Sequence, residues 1–342
     1  MTTLPSSRIP DPIDAPPIRW GVLAPGGIAH DWAAALHART ASRVAAVGSR
    51  SLERAQAFAA EFGAERAHGS YEALVGDPEV DAVYVASPHS AHHDHAMLAL
   101  EAGKPVLVEK AFTRNAAEAT AVIEAARARG LLVVEAMWTR FLPHLDVVRR
   151  CLEEGVLGEV VAVEADHGQL LHPDGPERMT EPALAGGALL DLGIYPIAFA
   201  HLALGAFTAV QATGTLIDTG VDAGETIAVT GPQGAIGTLS STMLAKTPCA
   251  ASISGTKGRV EIDGWFYQPN TVHLLDPDDH ELDRFESPSR EHGLAYESAE
   301  FARLLTAGKT ESDLLPLDET LRMMQVLDEV RAQLGVRFPA ER

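Results

Sequence analysis

A glycine-rich loop near the start of the chain is the first segment with residue types suited to binding chemistry. Residues 21–29 read Gly-Val-Leu-Ala-Pro-Gly-Gly-Ile-Ala, a partial match to G-x-G-x-x-G/A with Ala24, Gly26 and Ala29 at the three glycine positions. Glycines here let the backbone turn tightly and approach a pyrophosphate at a helix N-terminus. The alanine at the first position leaves the geometry of the turn open. We expect a dinucleotide to contact Ala24, Gly26, Gly27 and Ile28.

The residues after the second predicted strand bear on which dinucleotide binds. NAD-preferring sites of this kind usually carry an acidic residue there, which binds the ribose 2′-hydroxyl. This chain instead has Ser49 and Arg50, followed one helical turn later by Arg54. A guanidinium forms charge-assisted hydrogen bonds with a 2′-phosphate and can stack on the adenine. The sequence therefore favours NADP over NAD, the alternative being that both arginines are solvated charges at a helix start.

Two further segments follow predicted parallel strands, at the strand ends where open α/β sheets bind ligands. One segment runs from Ser87 to His92, and the other is the pair Glu109 and Lys110. A lysine at a strand end must be desolvated or paired, which is unusual for a purely structural residue. We therefore predict that Lys110 is functional. The residues expected to contact the cofactor here are Ser87, His89, His92, Glu109 and Lys110.

The histidines at positions 92, 93 and 95 could also suggest a metal site. His92 and His95 are three residues apart, so they offer only two ligands on one helix face. Neither a cysteine nor a suitably spaced carboxylate accompanies them, and a protein zinc site needs three or four ligands. We expect no bound metal, and interpret these histidines as solvated helix-start residues or cofactor contacts.

A second glycine-rich motif lies in the middle of the chain. Residues 186–195 read Gly-Gly-Ala-Leu-Leu-Asp-Leu-Gly-Ile-Tyr and open a helical stretch. Asp191 and Tyr195 are four residues apart and so share one helix face. Such a pair could handle a proton, although an ordinary buried tyrosine with a satisfied hydroxyl is the alternative.

The elements that would carry these residues fall into two patterns. From Ile18 to about Ala136, short β-branched runs alternate with alanine-rich helices, which predicts a doubly wound parallel sheet. The predicted strands are Ile18–Leu23, Val44–Val47, Ala82–Ala86, Val106–Val108 and Leu131–Val134, and the predicted helices are Asp31–Ala38, Ser51–Phe62, Ala91–Ala102 and Ala116–Arg129.

After Pro143 the pattern changes to a helix, a series of strands that alternate with period 2, and two closing helices. This pattern predicts an α+β domain with a mostly antiparallel sheet. The predicted strands are Val160–Ala165, Val210–Leu216, Thr226–Thr230, Gly237–Thr242, Ala251–Gly255 and Arg259–Ile262, and the helices are His144–Glu154, Tyr296–Ala307 and Leu317–Leu334.

The predicted domains are therefore an arm at 1–17, a Rossmann domain at 18–140 and an α+β substrate and dimerisation domain at 141–342. The C-terminal helices are free to pack back on the first domain. The arm is rich in proline, and we expect it to be disordered. The predicted sheet of the second domain has helices on one face only. The other face should be covered by a second copy, which predicts a homodimer or a dimer of dimers.

Composition restricts the classes of function. A formal net charge of -20 argues against nucleic acid or an anionic membrane as a partner, because both need a basic face. The two cysteines cannot form a disulfide framework, which fits a reducing cytoplasm. We expect neither a signal peptide nor an apolar run long enough to cross a bilayer. The sequence thus predicts a cytoplasmic, soluble protein that acts on a small molecule.

In combination, the motifs resemble the glucose–fructose oxidoreductase / inositol dehydrogenase (Gfo/Idh/MocA) family, in its dimeric dihydrodiol dehydrogenase and NADP-dependent sugar dehydrogenase branch. The resemblance covers nearly the whole chain after residue 17. It depends on four motifs in order: Gly21–Ala29; Pro88–His92 with Ala102–Pro105 and Glu109-Lys110; Glu135–Phe141; and Gly187–Tyr195.

The resemblance implies roles for individual residues. Lys110 and Tyr195 match the family's catalytic lysine and acid/base residue, and Asp191 matches the aspartate of the same motif. Trp138 would lie against the substrate and His89 and His92 near the nicotinamide. The family usually has proline where this chain has Ala111, which leaves open the turn that positions the lysine. The residues assigned to the substrate are Trp138, Arg140, His167, Asp191 and Tyr195.

The implied reaction is reversible hydride transfer between C4 of NADP and a carbinol carbon of a sugar, polyol or dihydrodiol. Tyr195 would exchange the hydroxyl proton, and the charge of Lys110 would lower the pKa of that phenol, which is about 10 when free. Two alternatives remain on the same fold. One is a nicotinamide-assisted glycosidase, and the other is a non-enzymatic NADP-binding regulator.

Overall fold

The first half of the chain forms a parallel sheet in this computed structural model, which describes residues 3–341. Its strands are β1 (Arg19–Leu23), β2 (Arg43–Gly48), β3 (Arg66–His68), β4 (Ala82–Val85), β5 (Val106–Glu109) and β6 (Val133–Ala136). They lie in the order β3-β2-β1-β4-β5-β6, and every neighbouring pair is parallel. The order reverses between β1 and β4, which is the position where doubly wound sheets bind dinucleotides.

Five helices connect these strands: α1 (Gly27–Arg39), α2 (Leu52–Phe62), α3 (Tyr71–Val75), α4 (His92–Glu101) and α5 (Ala116–Arg129). Two of these helices, α2 and α5, begin after N-caps, Ser51 and Asn115, whose side chains accept backbone N–H groups. Gly63 and Gly130, which follow the last residues of the same helices, are left-handed. Neither β3 nor α3 was predicted from the sequence, because three and five residues are too few to show a period.

The second sheet has eight strands and follows α6 (Pro143–Glu153). The remaining elements are β7 (Val160–Gly168), α7 (Ile194–Leu204), β8 (Ala209–Leu216), β9 (Asp222–Thr230), β10 (Ile236–Thr242), β11 (Ala251–Gly255), β12 (Gly258–Ile262), β13 (Thr271–Leu275), β14 (Glu281–Glu286), α8 (Ala295–Thr306) and α9 (Leu317–Leu334). The strand order is β14-β13-β12-β11-β7-β10-β9-β8. Only β7 and β10 pair in parallel among these neighbours.

The two outermost strands at one edge of this sheet, β13 and β14, were not predicted from the sequence. β14 carries charged residues at most of its positions, and its side chains are mostly exposed, so it lacks the apolar alternation of a half-buried strand. The predicted fold class, a Rossmann domain plus an α+β domain with a mostly antiparallel sheet, is confirmed.

The chain divides into two compact units. The parallel-sheet unit consists of residues 10–141 and 291–324, and the antiparallel-sheet unit consists of residues 3–9, 142–290 and 325–341. The segment 291–324, which contains α8, thus belongs to the unit of the first sheet. There Phe301 packs on Trp20, whose ring meets Trp32 edge-on, and Trp32 stacks on Tyr84. Residues far apart in the sequence therefore build one aromatic core.

Residues 3–17, for which the sequence predicts a disordered arm, make specific contacts. In the antiparallel-sheet unit, the Arg8 guanidinium lies 2.8 Å from Asp146 and 2.9 Å from Glu153. Asp146 is buried, and although burial opposes it, the hydrogen bonds from Arg8 hold the pKa of Asp146 below its usual value. In the parallel-sheet unit, Asp11 pairs with Arg39. Composition gave no sign of these contacts because their partners are distant in the sequence.

The stretch Pro182–Leu204 is long and apolar enough to cross a membrane by length and composition. The prediction that no apolar run of that length exists was therefore wrong. In the structure 89% of its most apolar 18-residue segment is buried inside the protein, as in a core helix of a soluble protein. It contains the second glycine-rich motif.

Candidate functional site

The first glycine-rich loop turns sharply between β1 and α1. Ala24 has a φ of +67°, the left-handed conformation that a glycine usually adopts at this position. Its N–H donates to the Gly48 carbonyl at 3.0 Å, and the Gly26 N–H donates to the Ala24 carbonyl at 2.8 Å. The tight turn is thus formed with alanine in place of the first glycine, which answers the question that the sequence left open.

The start of α1 has the properties of an anion site. Gly26 is the residue before the helix, and no side chain of residues 3–341 caps it. A Cβ added at Gly27 would meet nothing within 4 Å, and one at Gly26 would meet only the Ala24 carbonyl at 4.0 Å. The two glycines therefore leave open space beside free helix N–H groups, which suits the pyrophosphate of a dinucleotide. The residues present fit the expected cofactor.

The end of β2 carries the predicted phosphate-binding residues. Ser49 is buried, and its N–H donates to the His68 carbonyl at 3.1 Å. Arg50 and Arg54 are exposed, and neither has a carboxylate partner among the described residues. Most other arginines of the parallel-sheet unit are in ion pairs, for example Arg19 and Arg114. Two unpaired guanidinium groups next to the glycine-rich loop favour a ligand with an additional phosphate.

Lys110 directly follows β5, as predicted. It is partly buried, and its N–H donates to the side chain of Glu109 at 3.2 Å. The Tyr84 hydroxyl donates to the other carboxylate oxygen of Glu109 at 2.5 Å. Burial and the charge of Glu109 raise the pKa of Tyr84. The peptide bond between Lys110 and Ala111 is cis.

His92 has a different setting from the cofactor contact that was predicted. Its side chain has no exposed surface, and its ring nitrogens lie 2.8 Å from the Ala111 carbonyl and 2.7 Å from the Ser87 carbonyl. Burial lowers the pKa of His92 to about 4. The ring therefore joins the loops that follow β4 and β5. His89 is also buried, with its ring 5.6 Å from that of His92.

The other two histidines of the cluster have separate partners. His93 Nδ1 lies 2.8 Å from the side chain of Asp94, and His95 Nδ1 lies 2.9 Å from Ser87 Oγ. The three rings of the cluster thus interact with different groups. Ser87 is buried beneath them, so the segment after β4 is a hydrogen-bonded corner.

Arg140 was predicted to contact the substrate, but the structure buries it. It is 2% exposed and forms an ion pair with Glu319. Glu135 lies nearby, accepts a hydrogen bond from Thr320 at 2.8 Å, and has its pKa raised to about 7 by burial. The guanidinium thus neutralises buried carboxylates in the core of the parallel-sheet unit. Trp138 lies two residues earlier and is partly exposed.

In the antiparallel-sheet unit, Asp191 and Tyr195 lie at the start of α7. Asp191 lies in a turn of π-helix, Leu189–Gly193, and Tyr195 is in the first turn of α7. Both residues are more than nine-tenths buried. The guanidinium of Arg178 lies 3.1 and 3.2 Å from the two carboxylate oxygens of Asp191. This arginine was not identified from the sequence.

An aromatic cluster surrounds the tyrosine. The His167 ring stacks on Tyr267 with centroids 4.0 Å apart, and the Tyr195 ring lies 5.1 Å from His167 and 5.0 Å from Tyr267. Gln169 Nε2 lies 2.9 Å from His167 Nε2 and donates to the Tyr267 hydroxyl at 3.4 Å. His167 thus lies beside Tyr195. Tyr267 and Gln169 were missed because no local motif marks them.

Comparisons with known proteins identify the family. Residues 18–137 match the Gfo/Idh/MocA oxidoreductase family with an NAD-binding Rossmann fold, and residues 146–261 match a C-terminal domain of the same family. The chain is 35% identical to trans-1,2-dihydrobenzene-1,2-diol dehydrogenase of Bos taurus over 95% of this chain and 99% of the relative. It is 36% identical to D-xylose 1-dehydrogenase (NADP(+)) of Hypocrea jecorina, over 94% and 93% respectively.

A solved structure agrees with these relatives. The 3-ketoreductase KijD10 of Actinomadura kijaniata, in complex with NADP and TDP-benzene, aligns with a TM-score of 0.82 and 32% identity over 93% of this chain and 98% of that chain. The chain therefore belongs to the Gfo/Idh/MocA oxidoreductase family. The predictions of the family, of an oxidoreductase and of NADP as its cofactor are confirmed.

Proposed function

We propose that the protein catalyses reversible hydride transfer between NADP and a carbinol carbon of a sugar, polyol or dihydrodiol. The observation that carries this proposal is that Lys110, Asp191 and Tyr195 are all present in a family member, each held by a defined strand end or helix turn. The dihydrodiol dehydrogenase, the xylose dehydrogenase and the 3-ketoreductase are named for oxidation or reduction of the same kind. The nicotinamide accepts or supplies the hydride when bound.

The protein's own residues bind the cofactor and move the proton. The helix start at Gly26 and Gly27 binds the pyrophosphate, and Arg50 and Arg54 bind the 2′-phosphate. Tyr195 exchanges the proton of the substrate hydroxyl. The resemblance assigns to Lys110 the positive charge that favours the ionised form of the phenol. Asp191, which Arg178 keeps oriented through two contacts, positions the substrate hydroxyl.

The surroundings of Tyr195 support a ring-shaped polyhydroxy substrate. His167 and Tyr267 offer flat aromatic surfaces, and Gln169 adds an amide beside them. Aromatic faces pack against the C–H groups of a ring, while amide and imidazole groups bind its hydroxyls. We assign Trp138 and His89 to the substrate and the nicotinamide respectively.

A spectrophotometric screen tests the proposal. Purified protein is incubated with NADP and free sugars, inositols or dihydrodiols, and the appearance of NADPH is recorded. We expect steady NADPH production with at least one cyclic diol. Cleavage of an aryl glycoside without net NADPH would instead indicate a nicotinamide-assisted glycosidase. Tight NADP binding without turnover of any compound would indicate a regulator.

The assembly and location are also proposals. The open face of the second sheet carries a groove of about 540 Å³. Its polar lining consists of three hydroxyl residues and four acidic residues: Thr238, Ser240, Ser252, Glu164, Asp166, Glu261 and Asp263. We propose that a second copy covers this face in a homodimer or a dimer of dimers. Light scattering at micromolar concentration measures the mass of the assembly, and the mass of a monomer would contradict this proposal. We place the enzyme in the cytoplasm, since both described cysteines are free.

A further inference from the structure

The turn that carries Asp191 is wider than an α-helix. Residues Leu189–Gly193 form a single turn of π-helix, which continues directly into α7. Such a turn interrupts the regular ladder of the helix, and single π-turns are frequent at functional sites. Because the ladder is interrupted, groups from outside the helix are needed to fix the position of Asp191 and Tyr195.

Asp222, the first residue of β9, supplies one such group. It is 1% exposed, and its Oδ2 accepts the backbone N–H of Leu189 at 2.5 Å. The same carboxylate accepts the backbone N–H of Ala188. A Cβ added at Gly187, whose φ is +118°, would collide with Asp222 Oδ1. The second glycine of the motif thus makes room for this carboxylate, which caps the start of the π-turn.

Glu225, three residues later on β9, lies at the other end of the π-turn. It is 4% exposed, and its Oε1 accepts the hydroxyl of Ser241, which is its neighbour in register on β10. A Cβ added at Gly193 would lie 2.6 Å from Glu225 Oε1 and 3.0 Å from Ser241 Oγ. The third glycine of the motif therefore makes room for a second carboxyl group.

The two carboxyl groups differ in their hydrogen bonding. Oε2 of Glu225 has no hydrogen-bond partner among the described residues. Burial and the charge of Asp222 raise the pKa of Glu225 well above its usual value. Burial raises the pKa of Asp222 to about 6, and it stays ionised at neutral pH, where two backbone N–H groups bind it.

We propose that Asp222 and Glu225 are positioning residues that fix Asp191 and Tyr195 for catalysis through the gaps left by Gly187 and Gly193. This inference rests on the proposed function, because it assumes that Tyr195 moves the proton. The two side chains act differently. Asp222 acts as an acceptor for backbone N–H groups, and Glu225 as a side chain that accepts the Ser241 hydroxyl and fills the space beneath Gly193.

The test compares conservative and disruptive variants in the full-length protein. Asp222→Asn presents an amide to two N–H donors, and Glu225→Ala empties the space, so in both kcat should fall by about 10–100-fold. Glu225→Gln keeps the shape of the side chain and an oxygen that accepts the Ser241 hydroxyl, and we expect it to retain nearly the wild-type kcat. Asp218→Asn, at an exposed acid before β9, is the matched control. The dissociation constant of NADPH, measured by fluorescence titration, should not change in any variant.

The outcomes separate this inference from the proposed function. If Tyr195→Phe loses turnover while Asp222→Asn and Glu225→Ala keep the wild-type kcat, the inference is wrong and the proposed function stands. The same holds if these variants only lower the melting temperature. If Tyr195→Phe keeps its turnover, the proposed role of Tyr195 is wrong. Should Glu225→Ala not fold, Gly193→Ala replaces it, because its methyl group would displace the Glu225 carboxyl. A wild-type kcat in that variant overturns the inference.

Discussion

Both units place buried carboxyl groups behind a proposed catalytic side chain, but the hydrogen-bond donors to these carboxyl groups differ between the units. Behind Lys110, Glu109 receives hydrogen bonds from the Tyr84 hydroxyl and from the Lys110 N–H. Glu297 of α8 is fully buried, and neither of its carboxyl oxygens has a partner among the described residues. Burial and the charge of Glu109 raise the pKa of Glu297 well above its usual value. This pair therefore contains one carboxyl group with hydrogen-bond donors and one with none among the described residues.

Behind Tyr195, one carboxyl group is bound by the backbone of the helix turn and the other by a side chain of the neighbouring strand. Asp222 binds the N–H groups of Ala188 and Leu189, and Glu225 binds Ser241. The difference follows from the local structure that each unit must hold. A residue at a strand end such as Lys110 is already fixed by the hydrogen bonds of β5 to its neighbours. A π-turn has an incomplete ladder, and its position must be set by side chains of another strand.

Removal of the two proposed catalytic groups should have the largest effect. Tyr195→Phe keeps the ring but removes the titrating oxygen, and Lys110→Met keeps most of the volume but removes the charge. Each should lower kcat by about 10²–10⁴-fold, the usual contribution of general acid–base catalysis. The double variant should lose little more than either single one, because residues that act as a unit are not additive. If the two substitutions lower kcat additively in steady-state kinetics, Lys110 and Tyr195 act on separate steps.

A change of cofactor preference should come next in size and should follow only from the parallel-sheet unit. Arg50→Asp loses a charge-assisted contact with the 2′-phosphate, at a cost of about 1.5–3 kcal/mol. The KM for NADP should therefore rise by roughly 10–100-fold, while the KM for NAD changes little. Arg43→Asp, at the opposite end of β2, is the matched control. A wild-type enzyme that uses NAD and NADP equally well would contradict this assignment.

The two buried acids with raised pKa values, Glu225 and Glu297, should give a smaller effect on stability. A glutamate in an unfolded chain has a pKa of about 4.3. In the folded protein the pKa values of Glu225 and Glu297 are raised. Between these values the folded protein keeps a proton that the unfolded chain releases, so rising pH lowers the free energy of unfolding by about 1.4 kcal/mol for each pH unit. Glutamine has no proton to lose. The stability of Glu225→Gln and Glu297→Gln relative to the wild type should therefore rise with pH.

Denaturant unfolding at a series of pH values above about 5 measures this slope. Asp218→Asn serves as the exposed control and should run parallel to the wild type. We expect the pH range over which stability falls to extend to higher pH for Glu297 than for Glu225. Glu297 receives no hydrogen bond from the described residues, whereas Glu225 receives one. A wild-type slope in both glutamine variants would mean that these acids are ionised in the folded protein.

The smallest expected effect is that of metal removal. The three histidines of the 92–95 cluster interact with backbone carbonyls, Asp94 and Ser87 rather than with a common point. Exhaustive dialysis against a chelator should leave kcat unchanged, and metal analysis should find less than one equivalent. Loss of activity that zinc restores would contradict this expectation and would reopen the question of how the segment after β4 is held.

Much of the parallel-sheet unit could be predicted because its signals are local. The alternation of short β-branched runs with alanine-rich stretches located four of the five helices and five of the six strands. The position of Lys110 at a strand end, and of Arg50 after the second strand, followed from the same alternation. In the antiparallel-sheet unit, the motif itself identified Asp191 and Tyr195. The acids and aromatic residues that hold them were not predicted.

The sequence by itself thus determined the order of the elements and the residues of the two motifs, because hydrogen-bonding periods and turn residues act over a few positions. Only the tertiary structure decided which side chains lie behind them. Asp222 binds the backbone 33 residues earlier, and Glu319 pairs with Arg140 across 179 residues. Arg140 has the same guanidinium as Arg50, yet the first is buried in the core and the second is exposed. Burial and charge pairing depend on which distant segments pack together, and the spacing of residues along the chain does not show which segments do so.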